Sequence, residues 1–416
     1  DAKTGKKREK FNALIVSPDT EGVDIFSRNR SKCGIRGTWQ GRIRFTNVKV
    51  PKENLLHEEG KGIVVALTCL NWGRCTLAAG MVGAGAKAYE QAVKWSQYRY
   101  QFDRPIGEFE LVKERMARMG AFCYAMDAML YVTTGMVDRN DEDIMLETAI
   151  CKVFCSEYGF RCTNEAMQIM GGEGYMTENE LERLWRDSRI NPIVEGANEV
   201  MHSFIFAYGS KQLGEYLLDI KAAPFKNFSS AIKIGFELFF GIKKPAPKIK
   251  QLDKTLDSHA VTLERLIQKF SHQIKLMFKE KAEALISNQT TQCRLSWIAI
   301  WIHAIACSLS KIDKSIRNND DPKQLERDRL MVDYIVAYGE YKIDGWFRAL
   351  RQNTDASMLA AAEAAWSDGL NLPNDQYYIP ERTPDTNARG TGKDCDQEFI
   401  HQFGGGSLFT EEKTTQ

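Results

Sequence analysis

The sequence predicts a mainly α fold, with a partial β-domain ahead of a four-helix bundle and a second C-terminal helical domain. Three observations carry that reading. Apolar residues recur at helical period over four long stretches, near 62–98, 107–137, 141–170 and 198–216. Residues 11 to about 50 instead hold short apolar runs broken by Pro18 and Pro51, as strands do. Further helical stretches, near 252–286, 291–318, 323–350 and 355–369, follow a break in composition at 220–250, where Pro224, Pro245 and Pro247 flank a Lys- and Phe-rich segment.

In chain order, Phe11-Asn-Ala-Leu-Ile-Val16 and the Ile43, Phe45, Val48 positions make a small sheet over 1–58, too small to stand alone comfortably. Residues 59–219 form the bundle, its joints at Arg139-Asn-Asp141 and the Gly-rich turn Gly171-Gly-Glu-Gly-Tyr175. Residues 220–250 are a basic amphipathic linker and a domain boundary, and 251–371 an additional helical domain. The tail, 372–416, carries Gly404-Gly-Gly-Ser407 and reads as poorly ordered.

Composition narrows the function classes. A balance of 56 basic and 55 acidic residues gives a net charge of +1, which offers no electrostatic case for nucleic acid as a partner. Ten cysteines without a Cys-x-x-Cys pair, several in apolar helical patterns as at Cys151, Cys155 and Cys307, read as reduced thiols of a reducing compartment, not a secreted protein. The six histidines are dispersed and no Cys/His cluster has metal-ligand spacing, so no metal is expected. No run of about 18 uninterrupted apolar residues marks a membrane span. The chain opens on Asp1-Ala-Lys-Thr-Gly5 without an initiator Met, so it reads as a fragment or a processed product.

The stretch Asn191-Pro-Ile-Val-Glu-Gly-Ala-Asn-Glu199 is where chemistry is expected. It delivers Glu195 to a loop just before a new helix, after the charged Arg183-Leu-Trp-Arg-Asp187 segment. Gly196 lets backbone approach a ligand closely, and Ile193 and Val194 would desolvate the carboxylate toward a general base's working range. On these residues alone, Val-Glu-Gly is a common surface turn, and a solvated structural Glu is the better reading.

Several words in one order sharpen the choice: Val48-Lys-Val-Pro-Lys-Glu-Asn-Leu-Leu56, Asn71-Trp-Gly-Arg74, Arg99-Tyr-Gln-Phe102, Gln168-Ile-Met-Gly-Gly-Glu-Gly-Tyr175, Arg186-Asp187 and Val194-Glu-Gly196. From Phe11 to about Asp219 the chain resembles the C-terminal two-thirds of an acyl-CoA dehydrogenase, nearest the very-long-chain, membrane-associated class. The resemblance implies an FAD enzyme that oxidises long-chain fatty acyl-CoA to trans-2-enoyl-CoA in β-oxidation, passing electrons to electron-transfer flavoprotein. It makes Glu195 the base for the α-proton. Arg99, Gln101 and Phe102 would serve the FAD of a neighbouring subunit in a homodimer, with Gln168, Gly171 and Gly172 contacting that cofactor from the other protomer. Ala197, Asn198 and Glu199 would lie by the flavin, while Asn71, Trp72, Gly73, Arg74, Val194 and Gly196 would meet the acyl-CoA. The upstream part of the β-domain and a preceding helical domain are expected before Asp1, so the piece alone is expected to be inactive.

Ala197 replaces the Thr or Ser usual after the family's Glu-Gly pair, Asp103 stands where Gly is common, and Lys113 where Gln is common. These departures bear on flavin affinity. They keep open a non-catalytic assembly or scaffold paralogue of the same fold; an acyl-CoA oxidase is a further alternative. Phe228, Ile232, Phe236 and Phe239 recur at helical spacing among Lys226, Lys233, Lys243, Lys244, Lys248 and Lys250. This pattern fits peripheral membrane contact through 225–250, and fits an ordinary core helix with a Lys/Pro linker as well. The implied place is the cytoplasmic face of the membrane in a bacterium, or the inner membrane and matrix of a mitochondrion.

Overall fold

A computed structural model of the chain describes residues 10–27, 32–38, 41–139, 141, 143–223, 225 and 228–368. The expected tail at 372–416, Lys226, Pro224 and Cys395 lie outside the described residues. The mainly α expectation holds: eleven α-helices stand among the described residues beside short strands.

The periodic stretches become α1 (Gly62–Tyr98), α2 (Glu110–Asp138), α3 (Met145–Met170) and, after the short α4 (Gly172–Tyr175) and α5 (Glu180–Ser188), α6 (Asn198–Ala222). α1 buries a stripe of small residues, Cys75, Ala78, Gly85, Ala88, Ala92 and Ser96, which lets α3 approach closely. The contact is tightest at Gly159, where a Cβ would lie 3.0 Å from the Met81 carbonyl oxygen. α1 and α3 run parallel: Thr148 Oγ1 donates to Asn71 Oδ1 (3.2 Å) near their starts, and Gly85 faces Cys162 further along.

The second set follows as α7 (Phe228–Phe240), α8 (Asp257–Lys281), α9 (Gln289–Arg317) and α10 (Pro322–Ala349). Local chemistry starts two of them. Asn288 Oδ1 accepts from the Thr291 amide (2.9 Å) to cap α9, and Asp321 accepts from the Gln324 amide (3.0 Å) ahead of Pro322 in α10.

The described residues of 10–16 and 50–352 form one compact unit, so the boundary expected at 220–250 falls inside it. The reason is a shared aromatic core. Phe122 of α2 and Phe154 and Tyr158 of α3 pack against Trp301 of α9 and Tyr338 of α10, and Trp301 Nε1 donates to the Tyr158 hydroxyl (3.0 Å). Among the described residues two helices, α1 and α9, are long and apolar enough by length and composition to cross a membrane. The apolar window of α9 lies mostly inside the core, whereas that of α1 is largely exposed.

Less of the start is strand than its composition suggests. β1 (Ala13–Leu14) pairs antiparallel with β4 (Leu55–Leu56) in the main unit. The second unit holds β2 (Val23–Ser27), antiparallel to β3 (Arg42–Phe45) with Ile25 opposite Ile43, and also α11 (Asp355–Asp368). Phe11, Leu14, Ile15, Ile43 and Phe45 remain exposed, so this β material has no covering layer among the described residues.

α7 is the amphipathic helix that the basic stretch predicts, with its aromatic face outward. Phe228, Ile232, Phe236, Phe239 and Phe240 are exposed. Its inner face is tied down by Glu237, whose two carboxylate oxygens accept from Lys275 Nζ of α8 at 2.8 and 2.9 Å.

Candidate active site

The backbone between α5 and α6 folds into a compact turn. The Ile193 and Val194 amides donate to the Ile190 carbonyl (2.8 and 3.1 Å), and the Asn198 amide to the Pro192 carbonyl (3.0 Å). At its crest Glu195 has φ +57° and Gly196 φ +88°. Left-handed backbone is free for glycine but costs a residue such as Glu about 1–2 kcal/mol. Strain of this kind persists only where surroundings enforce it.

That crest lies against α1. A Cβ at Gly73 would come within 2.7 Å of Glu195 Oε2 and 3.2 Å of Oε1, so the half-buried carboxylate rests on the bare backbone of the helix. The next residue, Arg74, is buried and electrostatically coupled to Glu195; burial lowers its pKa and the Glu195 charge opposes that. Arg74 Nη1 reaches Asn71 Oδ1 at 3.4 Å, its guanidinium lies 5.2 Å from the Phe204 ring centroid, and its buried Nε has no hydrogen-bond partner. The enclosure differs from the one the sequence predicts. Ile193 and Val194 are themselves exposed, and α1 at Gly73 supplies the wall they were expected to form.

A residue that sequence reasoning missed completes this end of the site. Lys152 of α3 is fully buried, and its Nζ donates to the Gly196 carbonyl (2.8 Å) and to Asn198 Oδ1 (2.7 Å). Asn198 Nδ2 in turn donates to Ser156 Oγ (3.0 Å) and Glu157 Oε1 (2.7 Å). Burial pulls the Lys152 pKa down to about 8, opposed by Glu157, Glu195 and Glu199 and assisted by Arg74. The signal was in the sequence: a lone Lys inside Ala149-Ile-Cys-Lys-Val-Phe-Cys155 sits where charge is rarely tolerated unpaired.

The other predicted residues sort to two ends of the bundle. Asn71, Gly73, Arg74, Glu195, Gly196 and Asn198 gather at one end, flanked by exposed Trp72, Val194 and Glu199. Ala197 is the N-cap of α6 and offers no side-chain acceptor to it. Arg99, Gln101 and Phe102 lie beyond the far end of α1, 25 residues past Arg74, roughly 40 Å at 1.5 Å rise per residue. There β5 (Tyr100–Gln101) and β6 (Arg104–Pro105) form a hairpin whose turn residues, Phe102 and Asp103, both have positive φ. A primed two-residue turn demands that, and Asp tolerates it better than most residues after Gly. Phe102 is 86% exposed, with its ring edge-on to Phe109 at 6.2 Å, and the Arg104 guanidinium lies 4.0 Å from the Phe109 ring centroid. Because α1 and α3 are parallel, Gln168, Gly171 and Gly172 at the end of α3 lie toward this same end.

These residues fit the dinucleotide that the resemblance implies. Gly171 (φ +61°) and Gly172 have open space where a Cβ would be, Phe102 presents a free aromatic face, and Arg99 is an exposed cation. Among the described residues no three His, Cys, Asp or Glu side chains cluster as metal ligands.

Residues 60–208 match the family model of the acyl-CoA dehydrogenase C-terminal domain. Among named relatives, the mitochondrial very long-chain specific acyl-CoA dehydrogenase of Mus musculus is 31% identical over 333 residues, covering 79% of this chain and 51% of the relative. The human protein of the same name is 29% identical over the same length. The chain therefore spans about half the length of these relatives. An acyl-CoA dehydrogenase from Bacillus anthracis, solved in complex with FAD, superposes with a TM-score of 0.67 at 27% identity, over 88% of this chain and 63% of that one.

Proposed function

We propose that the chain is the base-bearing portion of an FAD-dependent acyl-CoA dehydrogenase that oxidises long-chain fatty acyl-CoA to the trans-2-enoyl-CoA. The observation that carries this is the placement of Glu195: a half-buried carboxylate at the crest of a left-handed turn, seated on Gly73 beside buried Arg74. Support for the substrate comes from the very long-chain relatives, and for the cofactor from the FAD-bound Bacillus anthracis structure and the fit of Arg99, Gln101, Phe102, Gln168, Gly171 and Gly172.

Removing the α-proton of a thioester needs a carboxylate fixed against one face of the acyl chain and a donor for the carbonyl oxygen. Glu195 accepts that proton on a carboxylate oxygen. Its own backbone N–H donates to the thioester carbonyl, which stabilises the enolate-like charge and acidifies the α-carbon. Bound FAD supplies the acceptor for the β-hydride. Arg74 and Asn71 hold the substrate side of the cleft, and the left-handed crest fixes the base so that little reorganisation is needed.

The roughly 40 Å between Arg74 and the Phe102 hairpin supports a homodimer in which each hairpin serves its partner's cofactor. Exposed Phe228, Phe236, Phe239 and Phe240, with Lys233, Lys243 and Lys244 nearby, support peripheral membrane contact through 225–250. Electron-transfer flavoprotein is the proposed electron acceptor. The proposed setting is the inner membrane and matrix of a mitochondrion, or the cytoplasmic membrane face of a bacterium.

The uncapped Ala197 favours a second reading, a paralogue that kept the fold without the chemistry. Adding long-chain acyl-CoA to the full-length, FAD-loaded protein separates the two. Bleaching of the flavin's visible absorbance, abolished by Glu195→Gln with acyl-CoA binding retained, is the expected result; no bleaching of the wild-type holoprotein overturns the enzyme reading.

A further inference from the structure

We propose that Lys152 is the positioning residue for the base: it fixes the Glu195–Gly196 crest by gripping the carbonyl just beyond it. The proposal rests on the reading of Glu195 as base.

A lysine wholly inside an apolar helix is tolerated only when its ammonium donors are met. Lys152 places two of them on the two sides of one junction, the Gly196 carbonyl at the end of the strained turn and Asn198 Oδ1 at the start of α6. Its neighbours in α3, Ile150, Cys151, Val153 and Phe154, are all buried core residues, so the stem cannot swing. Asn198 is anchored from its other side by Ser156 and Glu157 of the same helix. One stretch of α3, residues 152, 156 and 157, thus holds the end of the turn that carries the carboxylate.

The need for such a grip is visible in the backbone. Glu195 and Gly196 both have positive φ, and α6 begins at Ala197 without a side-chain cap, so the crest has no local hydroxyl to hold it. The charged and titratable groups coupled to Lys152 come from every element around it: Glu157 on α3, Arg74 on α1, Glu195 in the turn, Glu199 and His202 on α6. The ammonium therefore acts on the base by geometry, through Gly196.

The test uses the full-length, FAD-loaded protein with Lys152→Met, which keeps the stem and removes the donors. Hydrogen exchange of the amides of residues 195–198 should quicken at least about tenfold while α9 and α10 stay as protected as before. With long-chain acyl-CoA, kcat should fall about 10- to 100-fold with KM changed less than about threefold, as misplacement of a base by a fraction of an ångström produces. Unchanged exchange at 195–198, or a wild-type kcat, overturns the proposal. If Lys152→Met yields no folded holoprotein, Ser156→Ala loosens the same grip through Asn198; about threefold faster exchange at 195–198 supports the proposal, and no change overturns it. Glu195→Gln run in parallel keeps the two readings apart. Turnover by Glu195→Gln defeats the base assignment, whereas a dead Glu195→Gln beside a fully active Lys152→Met defeats only the role of Lys152.

Discussion

Replacing Gly73 with Ala puts one methyl group under Glu195, the proposed base, and its consequences separate chemistry from folding. The new Cβ would stand 2.7 Å from Glu195 Oε2 and 2.9 Å from its Cδ, about 0.7 Å short of the 3.4 Å at which ordinary contact begins. The carboxylate must yield, because the Cβ is fixed to a helix packed on α3. Holding it off its preferred rotamer costs about 0.5–1.5 kcal/mol. Ala in place of Gly inside a helix returns about 1 kcal/mol, so the net change in stability is close to zero. A base displaced by much of an ångström should lose about 10- to 100-fold in rate. The expected outcome is an unchanged thermal midpoint with a 10- to 100-fold slower bleaching of bound flavin by long-chain acyl-CoA, measured on the full-length holoprotein. Gly80→Ala in the same helix, where nothing lies within 4 Å, should stabilise without slowing. Wild-type speed in Gly73→Ala would refute the placement of Glu195.

Other substitutions test other parts of the argument. Ala197→Ser should supply the missing cap of α6 and raise stability by about 1 kcal/mol, read as a higher unfolding midpoint. Glu237→Gln leaves Lys275 buried without its counter-charge; destabilisation of about 3–5 kcal/mol and faster proteolysis around α7 are expected. His202, buried against Trp297 and bonded through Nδ1 to Ser296, has its pKa pushed down by burial to about 4 from 6.5. The unfolded chain therefore binds the proton that the folded one refuses between those values. Stability is full above pH 6.5 and falls as pH drops toward 4, by up to about 3 kcal/mol, and His202→Gln should flatten that slope in pH-dependent denaturation.

Much of this architecture could be read directly. The long helices announce themselves because their buried stripes are small or apolar at every third or fourth position, as from Cys75 to Ser96. Their starts are less legible: α2 begins at Glu110 because Ile106–Glu108 turns as a 3-10 segment first, which periodicity does not register. The expected break at 220–250 is a genuine change in composition, yet Trp301 and Tyr338 reach back to Phe122 and Phe154, a contact across more than a hundred residues that no local window sees. Glu195 was legible through its neighbours in sequence. For Lys152 the sequence shows only a lone Lys in an apolar run; its partners Gly196 and Asn198 lie outside α3, and only folding brings them together.

The ring cluster joining α2 and α3 to α9 and α10 has a consequence for how damage spreads. Truncating Trp301 to Ala would open a void expected to cost about 3–5 kcal/mol, an appreciable share of what keeps such a chain assembled. Harmful changes in α9 or α10 would then lower the amount of folded protein in a cell while leaving the Glu195 turn of each surviving molecule intact. The same interlock means that a clone ending near residue 220 would bare those rings to water and precipitate.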